Sequence, residues 1–196
     1  MNSVSLAHSA PALQSFSNTL TGKIFLAVSA SVFVALCAHV TVPLFFTPVP
    51  FTFGDLAVLL VGLALGPGVG FSALVLYLAE GATGLPVFSP TGPGGIAQLL
   101  GPTGGFLFAY PLAAALAGGL QRTFATFTSR FFSALAASAV ASTLIMTCGA
   151  LWLGMLLHLS PSAAFHMGTL PFLPGQAVKI VTAAAIFSSL QRWRRA

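Results

Sequence analysis

An all-α integral membrane protein, a bundle of six transmembrane helices, is the fold class the sequence predicts. Three observations carry that reading. Of 196 residues, 57% are hydrophobic and only 5% are charged, with a mean hydropathy of +0.98. Soluble domains carry roughly 25% charged residues, and seven basic plus two acidic side chains cannot cover a water-facing surface of this size. The apolar residues also fall in runs approaching or exceeding the roughly 20 residues a helix needs to cross a bilayer. Finally, the few basic residues fall where one membrane face would gather them. A soluble enzyme and a disordered chain are excluded. So is a nucleic-acid-binding module, because the seven Lys and Arg are too few and too dispersed.

Taken in order, residues 1–20 are Ser-rich and lack Lys and Arg, and read as a loosely ordered polar cytoplasmic lead. Lys23 followed by the apolar run 24–38 imitates a secretory signal. With one positive charge ahead of it and further spans behind, it is better read as the first membrane helix. The spans fall at about 21–42, 53–66, 69–88, 99–121, 131–157 and 171–191, before a short basic tail, 193–196. Pro43, Pro48 and Pro50 separate the first two, and Gly66-Pro67-Gly68 makes a tight turn between the second and third. Cys37 and Cys148 lie within apolar runs and read as small buried hydrophobes.

Orientation follows from Lys and Arg. Arg122 and Arg130 flank the fourth connection, and Arg192, Arg194 and Arg195 close the chain two spans later, so all five share a face. Six spans add Lys23 to that face, placing both termini in the cytoplasm. The 89–98 and 158–170 connections then lie outside.

An ionisable side chain within a span is expensive and marks a candidate site. Three qualify, all in the outer half: Lys179, Glu80 and Asp55. Lys179 lies eight residues into the last span, a reach of about 12 Å of helix that disfavours snorkelling. It reads as a ligand contact. Glu80 reads as a ligand contact, a partner to Lys179 or a cap. Asp55, just ahead of the apolar run from Leu56, stands where an N-cap acceptor belongs.

The segment 84–105, GLPVFSPTGPGGIAQLLGPTGG, holds seven glycines and four prolines. Backbone this irregular is tolerated at membrane depth only where protein buries it or where it lines a cavity. Its amides, those of Gly104 and Gly105 among them, can donate to a ligand without adding charge. It lacks the GK[ST] ending of a phosphate loop, so ATP-driven work needs another subunit. Tyr77, Phe88, Phe53 and Phe106 lie near enough to wall an apolar ligand body. Ala27, Ser31 and Ala35 recur every four residues on the first helix, a stripe suited either to internal packing or to docking a membrane partner. His8 lies in the lead and His39 near the end of the first span, and His158 and His166, eight apart in an outer connection, have no acid or Cys nearby, so no metal and no cofactor is expected.

Four segments give the sequence a family likeness: VPFTFGDLAVLLVGLALGP (49–67), LYLAEGATGLPVFS (76–89), GGIAQLLGPTGGFLFAY (94–110) and PFLPGQAVKI (171–180). In their order and spacing the chain resembles the BioY family, the biotin-binding S components of energy-coupling factor transporters. The resemblance implies a six-helix component that captures biotin at its outer side with high affinity. Transport is then driven with a coupling transmembrane subunit and two ATPases, although some members are thought to act alone. It implies a docking role for Ala27, Ser31 and Ala35, and a pocket of Lys179, Gln176, Glu80, Tyr77, Gln98, Phe88, Gly104 and Gly105. Two departures stand out. The family usually carries an acid after Pro-Gly in the last helix, where this chain has Gln176 beside a retained Lys179. It often carries Gln where this chain has Gly54, followed by Asp55. Glu80 or the ligand carboxylate is then left to balance Lys179.

A vitamin-uptake component for another small substrate would share this architecture and differ only in the pocket. A lipid-acting membrane enzyme is disfavoured, because two acids, one intramembrane lysine and no His–acid pair leave little for acid–base or metal chemistry.

Overall fold

The structure is a computed structural model that describes residues 19–193. Helix α1 runs Leu20–His39, opened by Thr19, whose side chain accepts from the Gly22 amide at 3.1 Å. The polar lead therefore lies outside the described residues, apart from Thr19 and Leu20, and so does all of the basic tail beyond Trp193. After α1 the chain makes a small antiparallel clasp, β1 Thr41–Val42 with β2 Phe51–Thr52, in the register Thr41↔Thr52 and Val42↔Phe51. The three prolines sit in or beside the loop of that clasp, where no ladder amide is required of them.

Helical structure then covers α2, Gly54–Ala82, broken at Gly66, whose φ of 81° and ψ of 179° are not helical. The break reverses the chain: a Cβ built on Gly70 would lie 3.3 Å from the Cα of Gly62, which two turns of straight helix would hold about 12 Å away. The two arms, 54–65 and 67–82, are thus a hairpin turning at the expected Gly66-Pro67-Gly68. A left-handed φ favours Gly at 66, and the Arg122 guanidinium fills the space a side chain would take.

Short helix α3 spans Gly95–Leu99, α4 Gly104–Phe124, and α5 Arg130–Leu156. Helix α6, Pro161–Gly168, and a 3₁₀ turn, Leu170–Phe172, lead into α7, Leu173–Trp193. Two expectations need correction. The span expected at 99–121 starts later, because Gly101 and Pro102 interrupt it and leave α3 as a separate piece. The 158–170 connection contains a helix, α6, nucleated by Ser160, whose hydroxyl accepts from the Ala163 amide at 3.3 Å, with Pro161 beginning the first turn.

Among the described residues, five helical runs are long and apolar enough to cross a membrane. With the second folded back on itself, the bundle has six long helical segments, and both described ends lie at one end of it. Small residues fill its centre: Ala113, Ala114 and Ala117 on α4, and Ala134, Ala137 and Ala141 on α5, are inaccessible. A Cβ on Gly62 would run into the Ala114 carbonyl, and one on Gly118 into the backbone of Gly62 and Gly66. Close approach through small residues is how helices associate without a hydrophobic drive. Large apolar side chains such as Phe25, Leu36, Leu112, Leu151 and Val178 point outwards, the arrangement hydrocarbon solvates and water does not.

Helix α1 packs chiefly on α2. Ala27, Ser31 and Ala35 lie on its inward side, Ser31 wholly buried and the two alanines each 9% exposed. Of the two roles open to that stripe, the burial is that of internal packing. The outward face of α1 is made instead by Ile24, Phe25, Val28, Val32 and Leu36.

Candidate ligand-binding site

The site gathers at the end of the bundle opposite the two described termini, where α2, α4, α5 and α7 meet under the β1–β2 clasp. Its centre is Asp55. The cap position of α2 is Phe53, and no side-chain cap bond is made there, so Asp55 is not the cap its place in the sequence suggested. One residue into the helix, its carboxylate turns inward instead. It accepts from Tyr110 Oη at 2.7 Å on Oδ1, and from Gln176 Nε2 at 2.5 Å and Lys179 Nζ at 3.0 Å on Oδ2.

Helix α7 supplies two of those donors because Gln176 and Lys179 are three residues apart, hence on one face. Gln176 is itself held by Ser142 of α5, whose hydroxyl donates to Oε1 at 3.2 Å. Lys179 is 3% exposed and makes the only ion pair among the described residues. Its ammonium also lies 4.1 Å from the centre of the Phe51 ring, so β2 of the clasp covers it with a cation–π contact. Burying a lysine is tolerable only with such compensation. Here an acid, an aromatic face and the surrounding hydrogen bonds provide it.

Aromatic walls stand beside the polar cluster. Tyr110 stacks on Tyr77 at 6.4 Å, and Tyr77 meets Phe88 edge-on at 5.3 Å while its hydroxyl donates to the Val87 carbonyl at 3.2 Å. Gln98 on α3 braces the outer loops by donating to the Ser89 carbonyl at 3.3 Å and accepting from the Gly94 amide at 3.1 Å. A cavity of about 40 Å³ runs between these groups, lined among others by Asp55, Lys179, Tyr77, Gln98, Thr103 and Phe106.

Of the residues singled out from sequence, Lys179, Tyr77 and Gln98 line this cavity, and Gln176 is bonded to its central acid. Phe88 backs Tyr77. Phe53 stays at the rim, 39% exposed. Gly104 and Gly105 are packed elsewhere, against the Leu99 carbonyl and against Trp152 and the Cys148 carbonyl of α5. Their smallness admits these close helix contacts. Glu80 is turned away: its carboxylate accepts from the Ser31 hydroxyl on α1. It does not balance Lys179, because Asp55 does. Tyr110, Thr103, Met146 and Phe172 join the lining without a sequence signal. A tyrosine within an apolar run announces no partner until the fold sets Asp55 against it.

Fold and site together define a multi-pass α-helical membrane protein of the transporter class, with a buried, charge-balanced polar centre at one end of its bundle. The chain belongs to the BioY family, which it matches over residues 8–196. It is similar to a probable biotin transporter BioY of Pyrococcus horikoshii, 38% identical over 74% of this chain and 82% of that protein. The biotin transporter BioY of Thermotoga maritima is 34% identical over 84% of this chain and 95% of its own. Among solved structures, the S-component for biotin from an ECF-type ABC transporter superposes with a TM-score of 0.78 at 25% identity, covering 87% of this chain and 90% of that one. The six-helix S-component bundle expected from the sequence is the architecture observed.

Proposed function

We propose that this protein takes up biotin: it captures the vitamin at the Asp55–Lys179 end of the bundle and delivers it across the membrane. In this reading the protein sits in the bacterial plasma membrane with both termini in the cytoplasm, so the site faces outwards. The positive-inside placement of Lys23, Arg122, Arg130 and Arg192 supports that orientation. Energy comes from a coupling transmembrane subunit and two ATPases. The phosphate-loop ending is missing from this chain, which fits such a division of labour.

The observation that carries the proposal is the composition of the site. Asp55 and Lys179 form a neutral pair, which offers no net charge to hold a carboxylate. It does present an acceptor and a donor side by side, backed by Gln176 and Tyr110. A ureido ring has N–H donors and a carbonyl acceptor to match both. The bicyclic head of biotin therefore belongs at this cluster, its chain along Tyr77 and Phe106, and its carboxylate towards the outer loops. Gly104, Gly105 and Glu80 have no place in that pose.

Equilibrium biotin binding to the purified, detergent-solubilised chain without partner subunits tests the reading, alongside Lys179→Ala and Gln176→Ala. Tight binding that Lys179→Ala abolishes is the expected result, with biotinamide binding almost as well as biotin. A folded wild type that ignores biotin overturns the substrate, and a panel of other small vitamins then tests the related-component alternative. Uptake by the chain expressed without any partner would instead favour a stand-alone transporter.

A further inference from the structure

The cluster around Asp55 and Lys179 accounts for one end of a ligand, and the fold holds a second cavity for the other. Between the clasp and the outer loops lies a space of about 210 Å³. Pro48 and Pro50 line it from the clasp loop, and Thr91, Pro93, Pro102 and Thr103 line it from the outer loops. Pro50, Gln98 and Thr103 line both this space and the inner cavity, so the two are neighbours across those side chains. Pro48, Thr91 and Pro93 are exposed, so the outer space reaches the surface. Its walls are tied in place. Gln98 is bonded to Ser89 and Gly94, and Trp152 of α5 donates from Nε1 to the Gly101 carbonyl at 2.9 Å. No charged side chain lines the space. Lys179 is committed to Asp55, and the other described Lys and Arg residues, Lys23, Arg122, Arg130 and Arg192, belong to the opposite end of the bundle.

We propose that this outer space receives whatever is attached at the carboxyl end of biotin, so that the protein captures biotin amides, N-biotinyl-lysine among them, as well as the free acid. The inference rests on the uptake reading above, which puts the ureido head at Asp55 and points the chain outwards. Two features favour an amide. A carboxylate sheltered from water needs a cation or several donors, and the lining offers no cation. Thr103 spends its hydroxyl hydrogen on the Gln98 carbonyl at 3.4 Å, which leaves its oxygen only lone pairs to present. Those accept from an amide N–H and offer nothing to a carboxylate, which is itself acceptor-only. The proline rings add apolar surface without a backbone N–H, a lining suited to an alkyl substituent. A substituent longer than the space continues past Pro48 and Thr91 to the outside.

Equilibrium titration of the purified full-length protein in detergent with biotin, biotinamide and N-biotinyl-lysine tests the assignment. All three are expected to bind within about threefold of one another. Pro48→Trp fills the outer space and alters no group lining the inner cavity. It is expected to weaken N-biotinyl-lysine at least about tenfold by steric clash, while biotin stays within about twofold of wild type. Thr91→Trp fills the same space from the outer loops and is expected to do likewise, and biotin binding by each variant shows that it has folded. Tight binding of biotin with both amides rejected overturns the inference and leaves the capture reading standing. So does N-biotinyl-lysine binding that neither Trp variant weakens, because the substituent then lies elsewhere. A folded wild type that binds none of the three ligands overturns the capture reading, and this inference falls with it.

Discussion

Asp55 and Glu80 stand near opposite ends of α2, and the fold-back at Gly66 brings them to the same end of the bundle, yet their surroundings are opposite. Asp55 is enclosed by a lysine, a glutamine and a tyrosine drawn from α7 and α4, and every donor is within 3.0 Å. Glu80 faces the peripheral helix α1 with a single serine for partner. The contrast separates two uses of a carboxylate in a membrane. One is fixed by a countercharge and holds a site together. The other has no countercharge among the described residues and ties α2 to the peripheral helix through one hydroxyl.

The largest effect that would break this comparison is expected from Lys179→Ala. It leaves Asp55 buried without a countercharge, at a cost of about 3–5 kcal/mol in stability. The measurement is thermal unfolding in detergent, and removing both charges with Asp55→Asn and Lys179→Met should restore much of the loss, since the two act as one unit. If the single variant unfolds at the wild-type temperature, the pair holds nothing together. Smaller losses should follow from Tyr110→Phe and Gln176→Ala, each deleting one hydrogen bond to a charged acceptor. About 1.5–3 kcal/mol apiece is expected, read in the same thermal-unfolding experiment.

How much of this was legible in the sequence follows the same division. The helical segments and the Gly66 turn could be read, because hydropathy and Gly-Pro-Gly are local signals. Lys179 could be read because a lysine in an apolar run has no cheap explanation. Asp55 was misjudged: its position resembles a cap, and only the approach of α7 and α4 shows that the carboxylate turns inward. Glu80 and Lys179 look alike in the sequence, since depth can be counted along a helix but direction around it cannot without knowing its neighbours. The glycines of 101–105 show a similar ambiguity. A glycine that admits a ligand and one that admits Trp152 look alike until α5 is in place.

Moving the acid sharpens the comparison further. Gln176→Glu would set a second carboxylate against Asp55, where the present contact is 2.5 Å, and like charges at that separation cannot both remain ionised. Binding is expected to fall in the single variant and to recover when Asp55→Asn is added, which leaves one acid beside Lys179 on the α7 side of the site. Recovery measured by titration would mean that the site needs one carboxylate next to its lysine and is indifferent to which helix carries it. Failure to recover would mean that the Tyr110 bond gives the α2 position a role of its own.

The smallest effect is expected at Glu80. Glu80→Ala removes one hydrogen bond at a half-buried position, worth about 1 kcal/mol of stability, and the cavity loses no lining group. Biotin affinity should therefore stay within about twofold of wild type, under 0.5 kcal/mol, against the severe loss expected at Lys179. Equal damage from the two substitutions would show that α1 and the site are mechanically one body and that the two acids do not divide their work as their neighbours imply. A clean separation, with affinity kept and transport altered, would assign capture to the α2–α7 contact and leave the α1–α2 contact to the step that follows it.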